Sequence, residues 1–399
     1  MSLAPFIRPL VGSFDVRAVE MHTSGEPARI VYAGFPELPG TLLEQRALAQ
    51  SRYDQIRRSI IYEPRGHQDM YGAILRPLTE LVDSGEAHMG ALFLTHEGYG
   101  VMCGHATIAL GRFLVDCTDE GVFPRRRDLK FDDDKQQVEV RLHAPVGLVR
   151  ITVPVVKVNG DWRTDTKRLI TFLSVPTFAT AVNLTVPIPQ SLRWLELGDF
   201  ETVKVDIGFG GAFYAVVPAW TLGFSASLIK PDIHGLSNAA KRLKEALNAS
   251  SDLRALFTHP GDKSPGYLYG VMITDTESDD TVPIAPGCSG SETGLYFFGD
   301  QQIDRSPTGS LVQARVALAI AKGHRRLGES WTYHSLVSKA AGGYKSAFVG
   351  TPVEEVDVGG TKGVRVHVSG QAYYTGSSTF VIEEQDDIGK GFSFQSLAA

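Results

Sequence analysis

Two segments, HATIALGRFLVD from His105 and LVQARVALAIAKGHRRLG from Leu311, carry apolar residues around most of a helical circumference. A helix lying on a protein surface needs only one apolar stripe, so a helix apolar on nearly every side must be enclosed by other structure. The enclosing material is written elsewhere in the chain. Segments VEVRLHAPVGLVRITVPVVKV (138–158), TVKVDIGF (202–209) and VRVHVSGQAYY (364–374) mix alternation with β-branched runs, the pattern of strands. A sheet-rich chain wrapped about two internal helices is expected.

The two helices open alike, with Cys103, Gly104 and His105 before the first and Thr308, Gly309 and Ser310 before the second. Such a repeat suggests internal duplication, and 399 residues suffice for two domains of ordinary size. A small polar residue followed by glycine at a helix start leaves backbone N–H groups unobstructed, where the helix dipole adds positive potential. Two such ends facing each other would hold one anion between them.

The net charge of −6 is spread along the chain, and the longest basic block is Arg125 to Arg127. Nucleic acid and an anionic membrane surface are therefore not expected as partners. The start, MSLAPFIRPL, lacks the cationic and apolar regions of a signal peptide, and no apolar run reaches the ~18 residues that span a bilayer. A soluble cytoplasmic protein is expected. Three cysteines, Cys103, Cys117 and Cys288, have neither disulfide parity nor metal-ligand spacing, so no structural metal is expected.

Cys103 stands in MCGH at a helix start, where the dipole and a neighbouring imidazole both favour thiolate over thiol. A thiolate base is thus chemically available, although a lone cysteine beside an apolar helix is by default a small buried hydrophobe. Cys117, at the end of the first helix, and Cys288, in a Gly/Ser turn, read as structural.

Several blocks in order, EMHTSGEPARIV from Glu20, EPRGHQDMYGAIL from Glu63, HEGYGVMCGHATIAL from His96, DRSPTGS from Asp304 and SGQAYYTGSSTFVIEEQDDIGKGF from Ser369, resemble the signature blocks of the proline racemase family. The resemblance covers nearly the whole chain. It implies an α+β fold of two pseudo-symmetric domains, each of mostly antiparallel sheet wrapped around a central helix, with the active site in the interdomain cleft and no cofactor. The domains would be residues 1–190, with 370–399 returning to them, and 191–369, with the crossover near Pro187. Racemases of this type place one cysteine in MCGH and a second in DRSPCGTG on opposite faces of the substrate.

Position 308 departs from that pattern, and so does Leu311, where the family pattern has Gly or Thr. A thiol ionises at about pH 8.5 whereas an aliphatic hydroxyl stays protonated, so Thr308 does not exchange an α-proton as a thiolate would. The pairing of Cys103 with Thr308 resembles the dehydratase subgroup that acts on trans-3-hydroxy-L-proline. In that substrate the α-hydrogen and the 3-hydroxyl lie on one ring face, so Cys103 would remove the proton and assist a syn elimination to Δ1-pyrroline-2-carboxylate. Backbone N–H groups of Gly104, His105, Gly309 and Ser310 are the expected carboxylate donors, since negative charge grows there in the transition state. The resemblance implies that Asp304 meets the ring nitrogen, and Thr308 is expected both to cap its helix and to contact substrate.

His22, Glu26, His67, Asp69 and Glu97 in these blocks, and His88 between two of them, read as structural groups. GFGGAF (208–213) lacks dinucleotide spacing and a Walker lysine, so close backbone approach or a tight turn accounts for it better than a nucleotide site. Two alternatives stay open: a racemase or epimerase of proline or hydroxyproline, and a silent imino-acid binder. The expected partner is a small imino-acid substrate, and a homodimer is compatible with the sequence.

Overall fold

The computed structural model describes residues 13–225, 228–261, 266–275 and 282–394. Contacts divide the chain into two compact units, which change over at Phe172–Leu173 and again at Gly370–Gln371. The strand Thr177–Pro187, ahead of the stretch read as the crossover, belongs with the second unit.

In the first unit strand Ala372–Glu383 pairs antiparallel with Ser13–Thr23, which pairs antiparallel with Glu26–Ala33. That strand runs parallel to Gly72–Arg76, which is antiparallel to Met89–Leu94. Met89–Leu94 is then parallel to Gln137–Ala144, followed by antiparallel Gly147–Val158 and Ile170–Leu173. The second unit repeats this order of senses. Thr177–Pro187, Thr202–Phe209 and Phe213–Pro218 are antiparallel, Leu268–Asp275 joins in parallel, and Ser291–Phe298 is antiparallel to it. Trp331–Ser335 then adds in parallel, and Phe348–Val358 and Thr361–Gly370 follow antiparallel. Thr361–Gly370 pairs back onto Thr177–Pro187, which closes the second sheet into a barrel.

Parallel neighbours require a crossover, and each unit fills its two crossovers in the same way. Helices Leu42–Arg52 and Asp54–Ile61 bridge the first parallel pair of one unit, and Ile233–Ala249 and Ser251–Ala255 that of the other. The second crossovers are the helices Gly104–Asp116 and Gly309–Ala321, each 13 residues long. The duplication suggested by three residues at each helix start therefore extends to the whole strand topology.

Both central helices are enclosed, as their composition demands. In Gly104–Asp116 only Arg112 and Asp116 escape burial, and these pair with each other at 3.4 Å, with the Arg112 guanidinium 4.7 Å from the Tyr374 ring. Gly111 is needed there because a Cβ would sit 2.7 Å from Ile151 Cγ2 on the wrapping sheet. In Gly309–Ala321 the one buried cation, Arg315, meets Glu292 at 3.0 Å and lies 4.7 Å from the Tyr333 ring. That helix ends earlier than its apolar run suggests, because Gly323 takes φ +72 and terminates the turn after Lys322.

Two other details differ from the sequence reading. The stretch 138–158 is a hairpin, broken after Ala144 by a turn that ends on Gly147 at φ +110. Helix Ile233–Ala249 was not anticipated, although Leu236, Ala240, Leu243 and Leu247 form its buried stripe and Asp232 caps it through Gly235 N–H at 3.1 Å. Among the described residues no helix is long and apolar enough to cross a membrane.

Candidate active site

The first unit brings Cys103, Gly104 and His105 together at the start of its central helix. Cys103 is extended at φ −145, ψ 110, and its side chain makes no capping bond. The helical ladder begins with Thr107 N–H donating to Cys103 O at 2.9 Å, reinforced by the Thr107 hydroxyl at 2.8 Å. The N–H groups of Gly104 and His105 lie ahead of that first rung, at the positive end of the dipole.

The thiol faces the imidazole of His105, with Sγ 3.4 Å from Nδ1 and 3.6 Å from Nε2. Nε2 also lies 3.2 Å from the carbonyl oxygen of Pro27. A carbonyl can only accept, so Nε2 carries a proton and Nδ1 of the neutral ring is the acceptor available to the thiol. Transfer of the S–H proton to Nδ1 produces a thiolate beside an imidazolium, which the helix start also favours. Two further contacts fix the imidazole residue: Thr23 Oγ1 donates to His105 O at 2.9 Å, and the Tyr71 ring packs T-shaped at 4.9 Å.

The second unit brings Asp304, Thr308, Gly309 and Ser310 together at the start of the other helix. Both oxygens of the Asp304 carboxylate accept hydrogen bonds, one from Ser306 N–H at 2.7 Å and one from the Thr308 hydroxyl at 2.6 Å. The expected cap is therefore not made: Thr308 turns its hydroxyl to Asp304 and makes no side-chain bond to its own helix. Its backbone sits at φ 62, ψ 102, a costly conformation for a β-branched residue. With its proton donated to the carboxylate, the Thr308 oxygen presents lone pairs to any ligand. Val312 N–H donates to Thr308 O at 2.8 Å, so the N–H groups of Gly309 and Ser310 precede this ladder too. The Ser310 hydroxyl lies 2.7 Å from the Tyr214 phenol oxygen.

GFGGAF is a strand turn that approaches the helix closely. A Cβ on Gly210 would lie 2.0 Å from Ser310 O and 2.9 Å from Ala314 N. Among the histidines of the signature blocks, His22 Nδ1 accepts from Gly25 N–H at 3.2 Å and its ring stacks on Tyr373. His88 Nδ1 accepts from Arg141 N–H at 3.0 Å, and burial, aided by the Arg141 guanidinium, pushes its pKa down to about 4. Burial pushes the thiols of Cys117 and Cys288 up. Among the described residues no group of three or more His, Cys, Asp or Glu side chains is placed to hold a metal ion.

Thr23, Pro27, Tyr71, Ser306 and Tyr214 were not singled out from the sequence. Thr23, Pro27 and Tyr71 lie in the quoted blocks EMHTSGEPARIV and EPRGHQDMYGAIL, and Ser306 in DRSPTGS. The roles of Thr23, Pro27, Tyr71 and Tyr214 depend on partners far away in the chain, and that of Ser306 on the local turn between Asp304 and Thr308, neither of which motif spacing reveals.

The family described as Proline racemase matches residues 18–393. Trans-L-3-hydroxyproline dehydratase of Bos taurus is 40% identical over 382 residues, 96% of this chain and 95% of that protein. Trans-3-hydroxy-L-proline dehydratase of Homo sapiens is 40% identical over the same shares. A crystal structure of a probable proline racemase from Agrobacterium radiobacter superposes with a TM-score of 0.72 at 22% identity, covering 96% of this chain and 97% of that one. That of a hydroxyproline epimerase from Agrobacterium vitis, with bound trans-4-OH-L-proline, gives 0.69 at 21% identity over 95% and 94%. The two structural likenesses establish the shared fold.

Proposed function

The chain belongs to the proline racemase family, and from that premise we propose that it dehydrates trans-3-hydroxy-L-proline to Δ1-pyrroline-2-carboxylate, with Cys103 as the base. The observation that carries this reading is the chemical inequality of the two helix starts. One bears a thiol with an imidazole partner at 3.4 Å, and the other bears a hydroxyl whose proton goes to a carboxylate at 2.6 Å. Only the first offers a base of suitable pKa, so proton removal at one face without delivery at the other is favoured over racemisation. The names and 40% identity of the full-length relatives agree with it.

In the reaction the Cys103 thiolate takes the α-proton. Negative charge then grows on the carboxylate, where fixed N–H donors of Gly104, His105, Gly309 and Ser310 stabilise the transition state more than the ground state. Asp304 accepts from the secondary ammonium, whose positive charge acidifies the α-carbon. The C3–O bond breaks on the face from which the proton left, and the Cys103 thiol returns a proton, directly or through water, to the departing hydroxide, which leaves as water. The resulting enamine tautomerises, adding a solvent-derived proton at C3. The residues named here as substrate contacts are part of the proposal.

Proton NMR of the protein with trans-3-hydroxy-L-proline in deuterated solvent tests it. Formation of Δ1-pyrroline-2-carboxylate carrying deuterium at C3 is the expected result. Inversion at C2 without loss of water would establish an epimerase instead, and binding of pyrrole-2-carboxylate without turnover of any hydroxyproline would establish a binder.

A further inference from the structure

Strands Ser13–Thr23 and Glu26–Ala33 are joined by a two-residue turn, Ser24–Gly25, with Thr23 paired directly to Glu26. Both turn residues have positive φ, 55 for Ser24 and 88 for Gly25. This is the conformation of a type I′ hairpin, in which asparagine or glycine is favoured at the first position and serine is strained. The hairpin tip rests on the start of the Cys103 helix, because Thr23 on one flank bonds His105 O and Pro27 on the other accepts from the His105 ring. Ser24 is only 4% exposed, and its hydroxyl has no hydrogen-bond partner among the described residues. A buried hydroxyl without a partner is costly, because the water it gave up is not replaced. Serine here therefore carries two local costs, strain and an unmet hydroxyl, and a ligand that meets the hydroxyl would offset the second.

The chemistry of the substrate says which ligand atom that is. In trans-3-hydroxy-L-proline the 3-hydroxyl lies on the same ring face as the α-hydrogen, so the group that leaves is presented to the unit that supplies Cys103. We infer that the Ser24 hydroxyl hydrogen-bonds the substrate's 3-hydroxyl and sets the preference for a 3-hydroxylated ring. The inference rests on the dehydratase reading above. Ser24 thereby stabilises the hydroxyl as it departs, and it contributes nothing to a ring that lacks the group.

Strain and function make opposite demands on this position, which makes the test decisive. Ser24→Gly relieves the backbone and removes the hydroxyl, whereas Ser24→Thr keeps the hydroxyl and adds a β-branch at positive φ. The measurements are melting temperature, kcat/KM for dehydration of trans-3-hydroxy-L-proline, and affinity by calorimetry for pyrrole-2-carboxylate, a flat ring without the 3-hydroxyl. Ser24→Gly is expected to melt no lower than the parent and to lose about tenfold to hundredfold in kcat/KM, the range for one hydrogen bond to a group acquiring charge. Its affinity for pyrrole-2-carboxylate should stay within about threefold. Ser24→Thr should melt lower yet keep most of the activity. An active parent whose Ser24→Gly variant keeps kcat/KM within about threefold, or loses both kcat/KM and pyrrole-2-carboxylate binding in parallel, overturns the inference alone. A parent that does not dehydrate the substrate overturns the reaction and the inference together.

Discussion

Beside the bond from its N–H to Ser306 Oγ at 3.1 Å, Thr308 anchors its strained backbone through one side-chain hydrogen bond, to Asp304, whose strength can be measured. Thr308→Val keeps the β-branched shape and the positive-φ cost but removes the donor 2.6 Å from Asp304. Both residues are less than 10% exposed, so little water replaces it. A hydrogen bond to a charged group contributes about 1.5–3 kcal/mol. The second unit spans residues 173–370; for a domain of that size each kcal/mol shifts the melting temperature by about 2–4 °C. The valine variant should therefore melt roughly 3–12 °C lower. Thr308→Ser keeps the bond; losing one methyl costs about 0.8 kcal/mol, and release of the β-branch at positive φ offsets part of that. Differential scanning calorimetry of the two variants beside the parent decides the matter. A valine variant that melts with the serine variant, or above it, would refute the view that the hydroxyl–carboxylate bond secures this helix start.

Other consequences follow from the same geometry. Gly210→Ala would push a Cβ into the backbone of Ser310 and Ala314, so overpacking should cost about 1–3 kcal/mol and lower kcat; urea unfolding and turnover measure both. Iodoacetamide at neutral pH should modify Cys103 before Cys117 and Cys288, whose thiols burial pushes up, and peptide mapping over time would expose the contrary order. Burial lowers the pKa of His22, His88, His143, His334 and His367. Below about pH 6.5 the unfolded chain therefore binds more protons than the folded one. Stability should be fully present above that pH and decline as it falls toward 4; a urea midpoint equal at pH 7.5 and 5 would contradict this.

The enclosed helices were legible because their residues are apolar on all sides, and wrapping sheet is the remedy the rest of the chain offers. Their starting points were legible as well, from the repeated small polar residue and glycine. The end of the second was less so, since Ile320 and Ala321 continue the apolar pattern until Gly323 breaks it through backbone conformation. Helix Ile233–Ala249 carries a clear stripe at Leu236, Ala240, Leu243 and Leu247, but it stands among segments whose pattern is that of strands. The roles of Thr308 and His105 were only half legible. Sequence placed each at a helix start, yet what Thr308 donates to and which nitrogen of His105 is occupied depend on Asp304 and on the carbonyl of Pro27, set by folded geometry.

The central claim is a division of labour in which the thiol at the first unit's helix start does the proton chemistry and the hydroxyl at the second unit's helix start does not. Its most direct test is kcat for dehydration of trans-3-hydroxy-L-proline by Cys103→Ser and Thr308→Ser, followed by proton NMR beside the parent. The account predicts a fall of at least about a hundredfold for Cys103→Ser, the scale of a lost general base, and retention of most activity in Thr308→Ser, which keeps the hydroxyl. A Cys103→Ser variant that turns over at near the parental rate would contradict it.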